Sequence, residues 1–276
     1  MKLLLVGARG NLGSALSRAA EPRHEIVPVG RSDWDGLRAD RLAGIDAVIH
    51  VASELRIPVT ERPAAVVDSE IMVTARLLEL MRAYNLKRLI YVSSCAVYGS
   101  SPDTAETAPC HPVTVNGRMK LLNEQIIAGF CAAHGIEATV GRVFNMFGGN
   151  DHFSIVARIV RSARDGSPIP VFDGGEGIRD FIHVDDVARI LLAIVERRPP
   201  FPVVNIGTGT GTRIAELINI ASEQVRGLKV VDGGSRTEVS HSIANTERLR
   251  SWLGPQAFAP VGDYLRKQFQ SASAVS

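Results

Sequence analysis

The chain has 276 residues, of which 45% are hydrophobic and 22% are charged, and its formal net charge is only +2. These values are ordinary for a soluble globular protein, and the length fits one large domain or a domain with a smaller second part. The near-neutral charge, without a basic run interleaved with aromatic residues, argues against a nucleic-acid partner. No apolar stretch reaches membrane-spanning length and no leader pattern opens the chain, so we expect no membrane association and a cytoplasmic location. The three cysteines are odd in number and lack metal-type pairing, which favours reduced thiols and no metal site.

The first predicted element is an apolar strand over residues 2–6, which ends at three glycines spaced G-x-x-G-x-x-G. A segment with helical character follows over residues 12–20. Such a turn can take positive φ and lets the backbone approach a phosphate, and the helix N–H groups then face the anion. The arrangement therefore predicts a site for the pyrophosphate of a dinucleotide. The residues assigned to this loop are Gly7, Arg9, Gly10, Asn11, Leu12 and Gly13.

Short apolar strands then alternate with amphipathic helices. The predicted strands cover residues 25–29, 47–51, 88–92 and 138–143, and the predicted helices cover residues 63–83 and 116–134. This alternation predicts an α/β fold with a Rossmann-type doubly wound parallel sheet. After Gly148 the pattern loosens into Gly- and Pro-bearing loops, with helices at 152–164, 185–197 and 214–225 and a strand at 203–206. We therefore predict a dinucleotide-binding domain over residues 1–145, completed by about residues 183–206. A smaller C-terminal α/β substrate-binding part takes residues 146–182 and 207–276.

The end of the second predicted strand bears on the choice of dinucleotide. In this type of fold the chain leaving that strand meets the adenosine ribose, where an acidic residue favours NAD(H) and a basic residue favours NADP(H). Here the strand is followed by Gly30, Arg31 and Ser32, and Asp33 comes only afterwards. Arg9 and Arg31 are suited to bidentate phosphate contacts, so we expect NADP(H) over NAD(H) and assign Arg31 and Ser32 to the cofactor. The alternative is that Arg31 is solvated and Asp33 turns back to the ribose.

Five further stretches carry recognisable motifs. They read His50-Val51-Ala52-Ser53, Tyr91-Val92-Ser93-Ser94-Cys95-Ala96-Val97-Tyr98-Gly99, Arg142-Val143-Phe144-Asn145-Met146-Phe147-Gly148, Asp173-Gly174-Gly175-Glu176-Gly177-Ile178-Arg179-Asp180-Phe181-Ile182-His183-Val184-Asp185-Asp186-Val187-Ala188 and Asn205-Ile206-Gly207-Thr208-Gly209. With the glycine loop they run in order from residue 3 to roughly residue 250. The chain thereby resembles the extended short-chain dehydrogenase/reductases, specifically the NAD-dependent epimerase/dehydratase group that acts on nucleoside-diphosphate sugars.

The resemblance implies an NAD(P)-dependent enzyme that acts as an epimerase, a dehydratase or a 4-keto reductase on a nucleoside-diphosphate sugar. It implies that Ala52 and Ser53 lie along the cofactor. It also implies that Lys120 holds the nicotinamide ribose. The residues that it assigns to the sugar nucleotide are Ser94, Asn145 and Arg179. A homodimer formed through the helices over 63–83 and 116–134 is a further expectation from the resemblance.

The resemblance breaks at the catalytic tyrosine. The chemistry of the family needs a tyrosine four residues before a lysine on one helix, because the ammonium lowers the pKa of the phenol and lets it take a proton. Lys120 is present, but the tyrosine position holds Asn116, and none of the four tyrosines has a lysine four residues later. An amide cannot accept a proton near neutral pH. The replacements that stay open are Cys95, Tyr98, His111, His152 and a water held by Asn116.

A second departure lies on the helix over 63–83, where the family carries an asparagine four residues before a threonine. Here Thr74 is preceded by Glu70, so a carboxylate changes the electrostatics near the cofactor strand. Two other functions therefore stay open beside the main one. The first is an NAD(P)-binding protein with lost or altered catalysis, such as a sensor or regulatory subunit. The second is a reductase of a small non-sugar carbonyl.

Overall fold

The structure of the chain is a computed structural model, which describes residues 1–21, 23–30, 32–34, 37, 39–54, 61–225, 227–235 and 239–273. The chain forms two compact units. The first unit comprises Met1–Gly99, Pro109–Arg142 and Ala188–Val204, and the second comprises Ser100–Ala108, Val143–Val187 and Asn205–Ser276.

The regular elements of the described residues are numbered in chain order. The strands are β1 (Lys2–Val6), β2 (Glu25–Val29), β3 (Ala47–His50), β4 (Arg88–Ser94), β5 (Glu137–Val143), β6 (Asn145–Phe147), β7 (Ile169–Val171), β8 (Ile178–His183), β9 (Val203–Ile206), β10 (Gly211–Arg213), β11 (Val230–Asp232) and β12 (His241–Ser242). The helices are α1 (Asn11–Ala20), α2 (Ala39–Leu42), α3 (Pro63–Val67), α4 (Val73–Ala83), α5 (Val115–His134), α6 (Ile155–Asp165), α7 (Val184–Arg197), α8 (Ile214–Gln224), α9 (Glu247–Leu253) and α10 (Val261–Ser273).

A central sheet with the strand order β2-β1-β3-β4-β5-β9 organises the first unit. β1 pairs in parallel with both β2 and β3, so that Leu4 lies opposite Val27 on one side and Val48 on the other. β1 and β3 are almost wholly apolar because helices cover both faces of a parallel sheet. The predicted Rossmann-type doubly wound sheet is confirmed. The chain places β2 on one side of β1 and then β3 on the other side. The order of the strands therefore reverses at β1, and folds of this type bind ligands at the carboxyl end of the strands at such a point.

The helix predicted over residues 63–83 contains a change of helical type. α3 leads into a π-helical turn, Asp68–Met72, and α4 follows without a break. The carbonyl oxygen of Glu70, inside this turn, accepts hydrogen bonds of 3.0 Å from both Thr74 Oγ1 and Asn123 Nδ2. Turns of this type are rare and occur frequently at functional sites.

The second unit contains two small sheets and its own core. β8 pairs with β6, β10 and β12, and β11 pairs with β7. The buried carboxylate of Asp180 on β8 accepts hydrogen bonds from the backbone N–H groups of Thr208, Gly209 and Ala244 and from the Thr208 hydroxyl. An apolar core of α6, α8 and α10 residues, including Ile159, packs in the same unit. Across the described parts of both units, no helix is both long and apolar enough to cross a membrane.

Candidate cofactor site and its lysine

The glycine turn between β1 and α1 is shaped by close backbone contacts. Gly7 takes a φ of +95° and donates its N–H to the Val29 carbonyl at 2.8 Å. A Cβ on Gly7 would lie 2.6 Å from the Ala52 nitrogen, and a Cβ on Gly13 would lie 2.2 Å from the Gly7 oxygen. Only glycine fits at these two positions without a shift of the backbone. The turn thus brings the start of α1 against the chain that leaves β3.

The N-terminus of α1 is suited to an anion. Gly10 precedes the helix, and among the described residues no side chain caps it and no acidic residue lies in its first turn. The first N–H groups of a helix need acceptors, and the positive end of its dipole attracts negative charge. The turn therefore fits the pyrophosphate of a dinucleotide, as the glycine spacing predicts. Arg9 and Asn11 lie at this turn, and Leu12 is buried.

The carboxylate of Asp33 folds back onto the end of β2. Its Oδ2 accepts the Gly30 N–H at 2.7 Å, and Arg9 Nη2 lies 3.4 Å from its Oδ1. The Gly30 N–H and the Arg9 guanidinium hold the pKa of Asp33 below its ordinary value, so the group is an anion at neutral pH. Ser32 also points its hydroxyl at this carboxylate, at 3.4 Å. Arg31 lies outside the described residues.

A buried polar cluster surrounds Lys120. Its ammonium lies 3.3 Å from Glu70 Oε2 and 5.5 Å from the ring centre of Tyr91. The other oxygen of Glu70 accepts from the Ser53 hydroxyl at 2.7 Å and from the Glu54 N–H at 2.6 Å. The side chain of Lys120 is 7% exposed and that of Glu70 is 3% exposed. One carboxylate therefore joins the helix over residues 63–83, α5 and the chain that leaves β3.

His50, the last residue of β3, extends this cluster. Its Nε2 lies 3.0 Å from the Thr74 hydroxyl, and its ring packs 5.3 Å from the ring of Tyr91. Burial, followed by the charge of Lys120, lowers the pKa of His50 to about 3, so the imidazole is neutral under ordinary conditions. Burial raises the pKa of the Tyr91 phenol, which is neutral as well.

The turn after β4 carries Ser94 and Cys95 beside the start of α5. The Ser94 hydroxyl accepts the Ala96 N–H at 3.2 Å, so it caps the short 3₁₀ turn Cys95–Val97. A Cβ on Gly117 would lie 2.4 Å from the Ala96 oxygen, which shows how closely α5 approaches this turn. Ser94, Cys95 and Asn116 are all half-buried.

Tyr98 lies behind the same turn, in a second buried ionic cluster. The Arg142 guanidinium is 4.9 Å from the ring centre of Tyr98, which is 1% exposed. Arg142 also makes two hydrogen bonds to Glu124, of 2.7 and 3.1 Å, and Glu124 accepts from the Ser93 hydroxyl. The arrangement favours a packing role for Tyr98.

Asn145, Arg179, His111 and His152 are the remaining predicted residues. Asn145 and Arg179 belong to the second unit, where Asn145 Nδ2 donates to the Asp180 carbonyl at 3.1 Å and Arg179 Nη1 donates to the Ser240 carbonyl at 3.3 Å. His111 and His152 are exposed. Among the described residues, no group of three or more His, Cys, Asp or Glu side chains is arranged to hold a metal ion.

Comparison with known proteins identifies the family. The family described as NAD dependent epimerase/dehydratase matches residues 3–207. The chain belongs to this family. Its resemblance to the nucleotide-sugar epimerases and dehydratases is thereby confirmed, as is the prediction of an enzyme of this type that depends on a nicotinamide coenzyme.

Individual relatives and solved structures are similar to this chain in sequence or in fold. A putative UDP-glucose 4-epimerase of Methanocaldococcus jannaschii is 28% identical over 252 residues, which are 87% of this chain and 82% of the relative. The dTDP-glucose 4,6-dehydratase of an Actinoplanes species is 29% identical over 225 residues, which are 79% of this chain and 69% of the relative. The structure of MoeE5 in complex with UDP-glucuronic acid and NAD has a TM-score of 0.88 at 26% identity, with 100% of both chains covered. The NAD-dependent NDP-hexosamine 5,6-dehydratase TunA, at 23% identity, shares the fold with a TM-score of 0.89 over 99% of this chain and 98% of its own.

The expected preference for NADP(H) is wrong. MoeE5 carries NAD in two complexes, and the family to which the chain belongs is NAD dependent. The physical reason lies at the end of β2, where the anionic Asp33 stands and Arg9 is paired with it. A carboxylate there accepts from ribose hydroxyls and repels a 2′-phosphate. Asp33 folds back onto Gly30, as one half of the alternative interpretation requires, whereas its other half, a solvated Arg31, lies outside the described residues.

The ion pair between Glu70 and Lys120 was not predicted from the sequence. The glutamate was noticed as a departure from the family, but its partner lies 50 positions later on another helix. The signal available was the coincidence of two departures in one chain, a new carboxylate at residue 70 and a missing phenol at residue 116.

Proposed function

We propose that this epimerase/dehydratase family member binds NAD and a nucleoside-diphosphate sugar and epimerises or dehydrates the sugar. The glycine turn carries the proposal, because the close contacts of Gly7 and Gly13 leave a bare backbone at the start of α1. Bound NAD supplies a hydride acceptor. The names of the relatives, which include a UDP-glucose 4-epimerase and a dTDP-glucose 4,6-dehydratase, support the substrate class.

Different residues of this chain bind the cofactor and the substrate in this proposal. Asp33 accepts from the adenosine ribose, and Lys120 directs its ammonium to the nicotinamide ribose. The further cofactor residues are Gly7, Arg9, Gly10, Asn11, Leu12, Gly13, Ser32, Ala52 and Ser53, and the substrate residues are Ser94, Asn145 and Arg179.

The proton passes through a group other than residue 116 in this proposal, since an amide does not accept a proton near neutral pH. Ser94 and Cys95 are half-buried on the turn that α5 approaches. Tyr98 is buried under Arg142 and has no comparable access. We therefore place the proton transfer on the Ser94–Cys95 turn, with Asn116 holding the substrate or a water beside it.

Incubation with a panel of UDP- and dTDP-sugars tests the proposal. Mass spectrometry and sugar NMR detect an epimerised or dehydrated product, and absorbance near ~340 nm detects reduced coenzyme. We expect one nucleotide sugar to turn over and Cys95→Ala or Ser94→Ala to reduce kcat by about 10²-fold or more. Tight binding of NAD without turnover of any sugar would contradict catalysis.

A second candidate function rests on Asn116 alone. The absence of the phenol fits a protein that binds NAD and a sugar nucleotide without chemistry, as a sensor or regulatory subunit. The variant Asn116→Tyr separates the two. A gain of activity from an inactive parent supports the second function, whereas a loss of activity from an active parent shows that Asn116 belongs to a working site. Asn116→Ala is the matched control, because it removes the amide without adding a phenol.

We also propose a homodimer that pairs the helix over residues 63–83 and α5 with the same helices of a second copy. Val67, Met72 and Leu122, which are 40%, 41% and 44% exposed, are large apolar side chains that these helices leave available for such a contact. Sedimentation analysis of the parent and of Leu122→Glu tests this, with a dimer expected only for the parent. The cytoplasmic location stays a prediction.

A further inference from the structure

Glutamate side chains usually lie at the protein surface, but the carboxylate of Glu70 does not. It is buried on a π-helical turn and makes three contacts with other elements, to the Ser53 hydroxyl, the Glu54 N–H and the Lys120 ammonium. A buried carboxylate is costly unless it is paired and hydrogen-bonded. Both conditions are met here, and the partner is the one lysine of the candidate site.

The charges around Lys120 leave Glu70 as its counter-ion. The Tyr91 phenol is neutral because burial raises its pKa, and the His50 imidazole is neutral because burial lowers its pKa to about 3. Asn123, which contacts the Glu70 carbonyl from α5, carries no charge. Among the described residues, Glu70 is the one whose carboxylate forms an ion pair with the Lys120 ammonium, at 3.3 Å.

We propose that Glu70 is a positioning residue that replaces the missing tyrosine as the anionic partner of Lys120, holding the lysine protonated and fixed beside the coenzyme turn. The part of this inference that concerns the coenzyme rests on the proposed function. The part that concerns the charge of Lys120 does not.

The exchange of partner changes what the lysine can do. In the family pattern the lysine shares its charge with a phenol, and the phenol gains acidity. Here burial opposes the charge of Lys120, but Tyr91 and the Glu70 carboxylate raise its pKa above the ordinary value. A lysine held as an ammonium is a hydrogen-bond donor and not a base. The proton acceptor of the reaction is therefore a different group.

The same carboxylate ties the lysine to the cofactor loop. Ser53 and Glu54 directly follow Ala52, whose nitrogen lies at the close approach to Gly7. Glu70 thus fixes the chain after β3 with one oxygen and Lys120 with the other. A substitution that removes only the charge of Glu70 releases the Lys120 ammonium. A substitution that also shortens the side chain releases both Lys120 and the chain after β3.

The titration of Lys120 tests the proposal without coenzyme. The chain has four other lysines, Lys2, Lys87, Lys229 and Lys267, so selective ¹³C labelling at lysine Cε gives few signals, and Lys120→Arg assigns the one that matters. In the parent we expect Lys120 to titrate above the ordinary lysine pKa of about 10.4. In Glu70→Gln the contribution of the carboxylate is lost while burial and Tyr91 remain, and we expect the pKa of Lys120 to fall below its value in the parent.

Glu79→Gln is the matched control, since Glu79 is an exposed residue of α4 and undergoes the same chemical change. It is expected to leave the Lys120 signal at the parent position. A Lys120 that titrates below about 10 in the parent, or equally in the parent and in Glu70→Gln, overturns the proposal. The parent measurement decides the matter even if Glu70→Gln does not fold.

NAD binding adds a second readout. Calorimetry from pH 6 to pH 9 is expected to give a constant affinity for the parent and, for Glu70→Gln, an affinity that falls about tenfold or more as Lys120 loses its proton. If the parent binds no NAD, the proposed function is refuted, but the test of Glu70 by the titration of Lys120 is unaffected. A parent that binds NAD while Lys120 keeps its pKa in Glu70→Gln removes the proposal about Glu70 alone.

Discussion

For Gly13→Ala, helix propensity predicts a gain in stability, whereas the tertiary structure predicts a loss. Gly13 lies in the first turns of α1, where alanine is favoured over glycine by about 1 kcal/mol. The new Cβ would lie 2.2 Å from the Gly7 oxygen and 2.7 Å from the Ala8 Cα. Both neighbours are backbone atoms, so the contact is relieved only by moving the glycine turn away from the helix.

The magnitude follows from these two terms. Overpacking of a tight site costs about 1–3 kcal/mol, and a rigid backbone contact belongs at the upper end. Subtracting the gain in propensity leaves a loss of about 2 kcal/mol in the free energy of unfolding. Because the turn itself must move, we also expect NAD affinity to fall by about tenfold or more, which is ~1.4 kcal/mol.

Urea unfolding and calorimetry with NAD measure the two effects. Gly129→Ala on α5 is the control, because Gly129 is an exposed helical glycine with open space around its would-be Cβ. It is expected to stabilise the protein by about 0.5–1 kcal/mol and to leave NAD binding unchanged. If Gly13→Ala is as stable as Gly129→Ala and binds NAD like the parent, the close approach of turn and helix is refuted.

Three further substitutions test ionisable groups of the first unit: Glu124, Asp33 and His50. Glu124→Ala leaves the Arg142 guanidinium without its counter-charge, and we expect a loss of about 3–5 kcal/mol in urea unfolding; a loss below about 1 kcal/mol would contradict a buried pair. Asp33→Asn removes the anion at the end of β2 and is expected to weaken NAD binding about tenfold while NADP binding changes little or improves. If calorimetry gives the same ratio of NAD to NADP affinity for Asp33→Asn and for the parent, the carboxylate does not discriminate between the two coenzymes. His50 is neutral in the folded chain down to a pKa of about 3 against 6.5 for the free group, so the unfolded chain binds the proton first as the pH falls. Stability therefore decreases from pH 6.5 towards pH 3 with a slope of up to about 1.4 kcal/mol per pH unit from this group, and His50→Gln removes that share. Equal slopes for His50→Gln and the parent, from urea unfolding at several pH values, would refute a buried neutral imidazole.

Much of the first unit was predictable because its signals are local. The apolar runs of β1 and β3 are long enough to indicate buried strands, and the glycine spacing indicates a turn against a helix. The π-helical turn Asp68–Met72 gave no such signal, since its pattern of apolar residues is that of an ordinary helix. The short strands of the second unit, such as β6 and β7 with three residues each, are below the length at which periodicity can be read.

The sequence by itself determined the family, the parallel sheet and the absence of a tyrosine at residue 116, because each depends on residues that are neighbours in the chain. Only the tertiary structure decided which charges meet. Asp33 reaches Gly30 because the chain bends after β2, and Glu70 reaches Lys120 because the helix over residues 63–83 packs against α5. Such contacts depend on the packing of whole elements, and no pattern within one segment encodes them.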